Sequence, residues 1–509
     1  MSNLSDLIPA GSGQNNIDFV ASGAITSGKP VILNSAGTVT QVAETSTTRA
    51  IPEGAKAEIL GTENKYAAIA YDPVSGKAVC IWRNNEGADE YGRLSVGTVS
   101  GTTITWNTSV VFDSTNLANA YHTVAFDPNT TNSFVINYHR SASQWDIAGT
   151  VSGTSATVGT AVRVRTAAAQ GLAPLLAWNP NQAGEYAAIY KDDGSSANNI
   201  YAYIGTVTGT SISQGATNLL AASAHDGCGI AWNKGVNDEL AIIYRTHTGT
   251  TVNICRGTVS GTTITYGTPT VVDSSNNGFM PNISFDDNVT GSFVWQYFSS
   301  TDTESKSGAG TLSGDTWTIG ATQVTPDSDS SNLVYLSPIH FSQTTAGVGA
   351  GCWYGTNGST YGARAAAFSV SGTTLTWGTS SVIDTGDSPV ATSPRMSFNP
   401  QDAGSFITCN GETSAAGYDT NTYLSRIAIS TSNLTATNLL GIASAAILDT
   451  ATGTINTWGS RNEVQTSLTI ASDYYVQGDG TITTTSTSPA QLIGTAITAT
   501  QINIKDYTG

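Results

Sequence analysis

The sequence predicts an all-β fold, a seven-bladed β-propeller inserted in a small β-domain built from both termini. Three observations predict it. An aromatic anchor followed by a polar turn recurs at Tyr71, Phe126, Trp178, Trp232, Phe285, Phe341 and Phe398, with successive spacings of 55, 52, 54, 53, 56 and 57 residues. Each copy reads as four short strands, alternating apolar and polar and punctuated by Gly, Asn and Asp. The segments outside the repeat, residues 1–50 and 441–509, echo each other.

The repeat is clearest over Ala231–Val272. There IAW ends a first strand, Asn233–Asp238 turns the chain, and Glu239–Arg245 forms a second strand. Thr251–Val259 is a third, and Ser260-Gly261 reverses the chain into a fourth over Thr262–Val272. Two further markers keep register with the anchors. A second aromatic follows 11 or 12 residues later at Trp82, Tyr138, Tyr190, Tyr244, Tyr297 and Trp353, with Asn410 in the seventh copy. A GTVSG hairpin stands at Gly97–Gly101, Gly149–Gly153 and Gly257–Gly261, with variants in the other copies. A four-stranded antiparallel unit at this period is a propeller blade rather than a solenoid coil, because solenoid repeats are shorter. One such sheet cannot bury both faces alone, whereas a ring of them buries each against its neighbours. Residues 51–440 are assigned to this ring.

At the ends, Lys29–Thr40 and Asp473–Thr484 each read as strand, Gly turn and strand, and Val20–Ile25 echoes Ile442–Ile447. Residues 1–50 and 441–509 are therefore expected to form one domain carrying the ring as an insertion. Closure of the ring is expected to bring Ala55–Leu60 beside Asn433–Leu440.

Composition narrows the function. The 509 residues carry a formal charge of −17 with only 11% charged residues, and the pI is near 4.5. Nucleic-acid and anionic-membrane binding both need a basic face, so neither is expected. The N-terminus lacks the basic and apolar regions of a secretion signal, and no stretch reaches the roughly 18 apolar residues of a membrane span. A soluble protein made in a cytoplasm is expected. Cys80, Cys228, Cys255, Cys352 and Cys409 are scattered singly, as small buried hydrophobes are.

Chemistry is sought on the face carrying the connections after the second and fourth strands, which differ in every copy while the other turns stay alike. A cation follows the second aromatic in four consecutive copies: Trp82-Arg83, Tyr138-His139-Arg140, Tyr190-Lys191 and Tyr244-Arg245. Aromatic faces beside guanidinium or ammonium donors suit sugar rings with carboxylate or phosphate substituents. Trp82, Arg83, Tyr138, Arg140, Tyr190, Lys191, Tyr244 and Arg245 are therefore the candidate ligand-binding residues, and the four cations are expected to form an arc. The competing reading packs the aromatics between blades and pairs the cations with neighbouring carboxylates. No catalytic set emerges. The histidines (His122, His139, His225, His247, His340) stand alone, and no nucleophile elbow or phosphate loop is present. Paired acids such as Asp192-Asp193 and Asp286-Asp287 sit in turns, where they cap backbone. Asp327-Ser328-Asp329 is a weak calcium candidate. No catalytic residue, metal ligand or cofactor is assigned.

The segments SGKPVILNSAGTV, SDYYVQGDGTI and LLGIASAAILDTATGTI are similar to those of virion structural proteins of tailed bacteriophages. The repeat of FDP and GTVSGTTIT form resembles propeller-bearing proteins of the same group. That resemblance implies a non-enzymatic virion surface or tail protein, assembled in the host cytoplasm. Its partners would be other virion proteins, a host-surface glycan and further copies of itself. A glycan-degrading enzyme on the same scaffold and a purely architectural decoration protein are the alternatives. The enzyme would place two carboxylates about 5–10 Å apart in one cleft.

Overall fold

The computed structural model describes residues 15–45, 49–59, 64–84, 90–115, 117, 122–140, 143–164, 175–192, 199–221, 224–246, 251–274, 278–328, 338–356, 361–384, 395–414, 417–428, 431–435, 437–485 and 490–505. Every regular element among them is a strand, so no helix is long and apolar enough to cross a membrane. The chain divides into two compact units, residues 48–428 and a second made of residues 1–47 with 429–509.

Residues 48–428 form small antiparallel sheets of four or five strands, in a β-propeller-like arrangement. The sheet around Trp232 shows the plan. Ala224–Trp232, Glu239–Thr246 and Val252–Ser260 run as a meander. The outermost strand, expected to be continuous over Thr262–Val272, is instead two pieces. Thr263–Tyr266 pairs with one half of Val252–Ser260 and Thr270–Asp273 with the other. Gly267 and Pro269 occupy the break, and proline has no N–H for the ladder.

Each anchor aromatic ends the first strand of its sheet: 64–71, 122–126, 175–178, 224–232, 278–285, 339–341 and 395–398. The first strands together line one axial cavity. The aspartate after three of the anchors holds its own turn and the next sheet at once. Asp127 Oδ1 accepts from Asn129 N at 2.8 Å, while Oδ2 accepts from Gly184 N at 2.8 Å in the following sheet. Asp72 binds Val74 N and Asn132 N in the same way, and Asp286 binds Asn288 N and Gly347 N. The donating amide of the next sheet belongs to a left-handed residue, with φ of 77° at Gly184 and 63° at Asn132. Glycine and asparagine take that conformation most readily. The anchors add a second tie: Trp178 Nε1 donates to Ala125 O and Trp232 Nε1 to Ala177 O, both at 2.9 Å.

The first glycine of the GTVSG hairpin has a packing reason. A Cβ at Gly205 would overlap the buried Tyr186 ring on the adjacent strand. The sheet begun by Arg395–Phe398 is completed by a strand from the other end of the unit: Gly417–Ala428 pairs with Arg49–Ile59, from Thr420↔Ile59 to Ala428↔Arg49. The expected partner of that strand, Asn433–Leu440, instead falls outside residues 48–428. Its last two residues enter a strand, Leu439–Ala443, that pairs with Pro30–Leu33.

The other unit interleaves early and late segments. One sheet runs in the order 16–20, 452–457, 439–443, 30–33, 39–41. A second consists of 461–462, 501–504, 490–498, 473–477 and 482–483. Ile32, Leu439 and Ile442 of the first share a core with Val476, Ile493 and Ile502 of the second. The echoing segments meet, since Ile25 N donates to Ile447 O at 2.8 Å and Ile447 N to Ile25 O at 2.9 Å.

Candidate functional site

The eight residues singled out from the repeat lie near the ends of second strands, and the structure buries all of them but Arg140. Trp82, Tyr138, Tyr190 and Tyr244 are all 5% exposed or less. The second strand lies inside its sheet, so its aromatics pack against neighbouring sheets and offer no face to a sugar. Arg83, Lys191 and Arg245 are also buried. Arg83 Nη1 lies 3.6 Å from Glu90 and donates to Leu117 O at 3.4 Å. Arg245 sits 4.4 Å over the Phe279 ring of the next sheet. Arg140, with 23% of its side chain exposed, pairs with Asp113 at 2.7 Å and stacks on Trp145 at 3.8 Å. The expected arc of presented cations is therefore replaced by cations held in the packing. Of the divergent connections, residues 85–89, 141–142, 193–198, 247–250, 357–360 and 415–416 lie outside the described residues. So do His247, Asp193 and Asp329.

Asp113 shows what these positions do. It ends the outer strand of its sheet and accepts from Tyr138 Oη at 2.6 Å, from Arg140 and from Thr115 N at 2.8 Å. Burial works to raise its pKa, but the hydrogen bonds from Thr115, Tyr138 and Arg140 outweigh it and hold the carboxyl below its usual range. Asp273 accepts from Tyr297 Oη at 2.5 Å in the same way. Asp384 accepts from Asn410 Nδ2 at 2.6 Å, so the copy lacking the second aromatic keeps the bond. The signal was in the sequence, in the recurring VFD, VVD and VID triplets at 111–113, 271–273 and 382–384.

A second buried carboxylate lies between the sheets around Tyr138 and Tyr190. Asp146 accepts from Tyr186 Oη at 2.5 Å, Tyr203 Oη at 2.8 Å and Gln214 Nε2 at 2.9 Å, and from Asn137. Burial raises its pKa, and these bonds offset the rise only in part.

The axial cavity has a volume of about 420 Å³. Its wall is two-sided. The residue before the anchor is Ala70, Ala125, Ala177 and Ala231 in four consecutive sheets, then Ser284, His340 and Ser397. Asn282 and Arg395 extend the polar side. Ser284 and Ser397 accept from Phe341 N at 3.3 Å and Tyr71 N at 3.0 Å in adjoining sheets. Burial pushes the His340 pKa down to about 4, so the imidazole is neutral near pH 7. At the turn end, Lys234 Nζ lies 3.4 Å from Asp287, whose pKa burial raises against the opposing pull of Lys234. Among the described residues lining the cavity Asp287 is the one carboxylate, so these residues do not bring together a glycosidase pair of acids. Among the described residues no three His, Cys, Asp or Glu side chains converge as a metal site, and the five cysteines are buried and free.

The fold and this cavity define the class: an all-β protein with a propeller-like unit around an axial cavity. No protein-family model matches the chain, and no curated protein matches it. Solved structures similar to it include a putative 6-phosphogluconolactonase from Bacteroides fragilis, with TM-score 0.45, 9% identity, and coverage of 74% of this chain and 98% of that one. Sqt1 of Chaetomium thermophilum gives 0.43 and 12%, over 71% and 83%. A Hadza microbial sialidase gives 0.41 and 12%, over 78% and 70%. At these values none of their activities passes to this chain.

Proposed function

We propose that this protein is a non-enzymatic structural protein of a tailed-bacteriophage virion. In this reading residues 48–428 are a seven-bladed propeller inserted in a β-domain made from both termini. The terminal domain attaches to other virion proteins and to further copies of the chain. The propeller meets a host-surface glycan or a neighbouring virion protein. The observation that carries the reading is the interleaving of the terminal segments, with 16–20 on 452–457 and 30–33 on 439–443. A ring held by both of its ends is fixed to one mount, as a module displayed on a particle must be. Those same segments carry the resemblance to virion proteins, and the acidic composition suits a protein that avoids nucleic acid.

The test is electron microscopy of phage particles carrying this protein, with antibody raised against residues 48–428. Label at fixed positions on every particle is the expected outcome. Particles that bind no antibody, while the protein stays in the lysate, would sink the assignment.

A further inference from the structure

We propose that Cys80 and Cys409 are a disulfide-forming pair, which a small disulfide oxidises so that the sheet holding Lys77–Asn84 becomes covalently tied to the sheet holding Ser405–Ser414. These two strands lie near opposite ends of residues 48–428. The site goes beyond the proposed function and does not rest on it.

Side-chain alternation places the two thiols. In a strand, successive side chains point to opposite faces. Val79 and Ile81 enter the core shared with the following sheet, whereas Ala78, Cys80 and Trp82 enter another, together with Ile407, Cys409 and Leu424. Both cysteines are fully buried there. Hydrogen bonds fix the two sheets on either side of the pair. Tyr71 N donates to Ser397 Oγ at 3.0 Å on the first strands, and Trp106 Nε1 donates to Thr422 Oγ1 at 2.8 Å further out. Thr422 is itself the cross-strand partner of Cys409. Burial and, after it, a hydrogen bond with the Cys409 thiol raise the Cys80 pKa.

The other three cysteines are placed elsewhere. Cys228 and Cys255 belong to a separate core. Gly351 faces away from the Ser405–Ser414 sheet, since a Cβ there would lie 3.0 Å from Gln296 Oε1 of the sheet before. Cys352 beside it points the other way, and meets the Ser405–Ser414 sheet on the side opposite Cys409.

In the exchange, one cysteine thiolate attacks the small disulfide and expels one thiol. The second cysteine then displaces the other thiol from the mixed disulfide. The protein loses two electrons and two protons, and the small disulfide takes them up as two thiols. Its raised pKa makes Cys80 a poor nucleophile while the sheets are closed. The bond therefore forms while they are apart, as the chain folds or reopens outside a reducing compartment. It closes a loop spanning most of residues 48–428, and stabilisation by a cross-link grows with the loop it closes.

The test refolds the reduced full-length protein from urea with oxidised glutathione as the probe, followed by peptide mapping without reduction. One cross-linked peptide joining Cys80 to Cys409 is expected, with Cys228, Cys255 and Cys352 still open to alkylation after unfolding. The oxidised protein should melt about 3 °C higher or more, and dithiothreitol should reverse the gain. Cys409→Ser should lose both the cross-link and the gain, and Cys352→Ser should keep both. If the chain does not refold, native protein held with oxidised glutathione in urea just below its unfolding midpoint gives the same map. If Cys409→Ser does not fold, the wild-type map and melt decide. Scrambled pairs, or glutathione left on Cys80 and Cys409 without a bond between them, overturn the proposal. So does a Cys80–Cys409 bond that lowers the melting temperature, because its geometry would then distort the native packing.

Discussion

Asp113 concentrates the physics of the sheet contacts in one side chain. Its carboxylate receives a tyrosine from the next sheet, a guanidinium and a backbone amide. Removing one partner of a buried bond leaves the other unsatisfied, at about 1–3 kcal/mol. Tyr138→Phe and Asp113→Asn should each lower the stability to urea by that order, and their double mutant should lose less than the sum. Additive losses would show that the two are not coupled. Two other titratable groups give opposite pH signatures. Asp146 has a raised folded pKa, so the folded state holds its proton longer than the unfolded chain. Stability from this site falls as pH rises from about 4 through the folded value. His340 is depressed to about 4, so the unfolded chain protonates first, and stability falls as pH drops from about 6.5 towards 4. Relative to wild type, Asp146→Asn should flatten the loss on the alkaline side and His340→Gln the loss on the acid side. Parallel stability–pH curves would refute both assignments.

At the scale of strands, much of the architecture was legible from the sequence. Every anchor aromatic ends a first strand, and every GTVSG-type hairpin from Gly97 to Gly372 joins a third strand to the outer one. Local chemistry decided those points, through alternation and turn residues. The break of the outer strand at Gly267–Pro269 was less legible, because the apolar alternation continues on both sides of it. The role of the second-strand aromatics and cations was misread for a physical reason. In a lone sheet Tyr138 and Arg140 would end a strand at solvent, but here the neighbouring sheet brings Asp113 over them. A contact between repeats leaves little trace in either repeat alone. The axial cavity was equally hidden, since Asn282, His340 and Arg395 stand in three different copies. Within an element, Gly205 is the sharpest test of packing. Gly205→Ala should cost about 1–3 kcal/mol by overpacking against Tyr186, read as a lower urea midpoint with unchanged slope. A neutral result would mean that the Tyr186 ring can move aside.

For the molecule as a whole, the strand 49–59 is the decisive element. It covers the edge of 417–428 from Thr420 to Ala428. Removing residues 1–60 should strip that edge, lower the melting temperature by several degrees or more, and broaden the transition. A fragment of residues 48–428, which keeps the strand, should melt sharply and remain monomeric by light scattering. A truncated chain lacking residues 1–60 that melts like the full-length protein would show that the pairing contributes little.

That same pairing sets a timetable for synthesis. Arg49 leaves the ribosome early, and its partner Ala428 is made last within residues 48–428. At roughly 5–20 residues per second the first strand waits tens of seconds for its place. Throughout that interval the growing array is an open stack with two unpaired edges, and its most distant contact is among the last to form. Nascent chains on neighbouring ribosomes carry the same free strand at high local concentration. Exchange of residues 49–59 between chains is therefore the characteristic error open to this fold, and slower elongation would favour it.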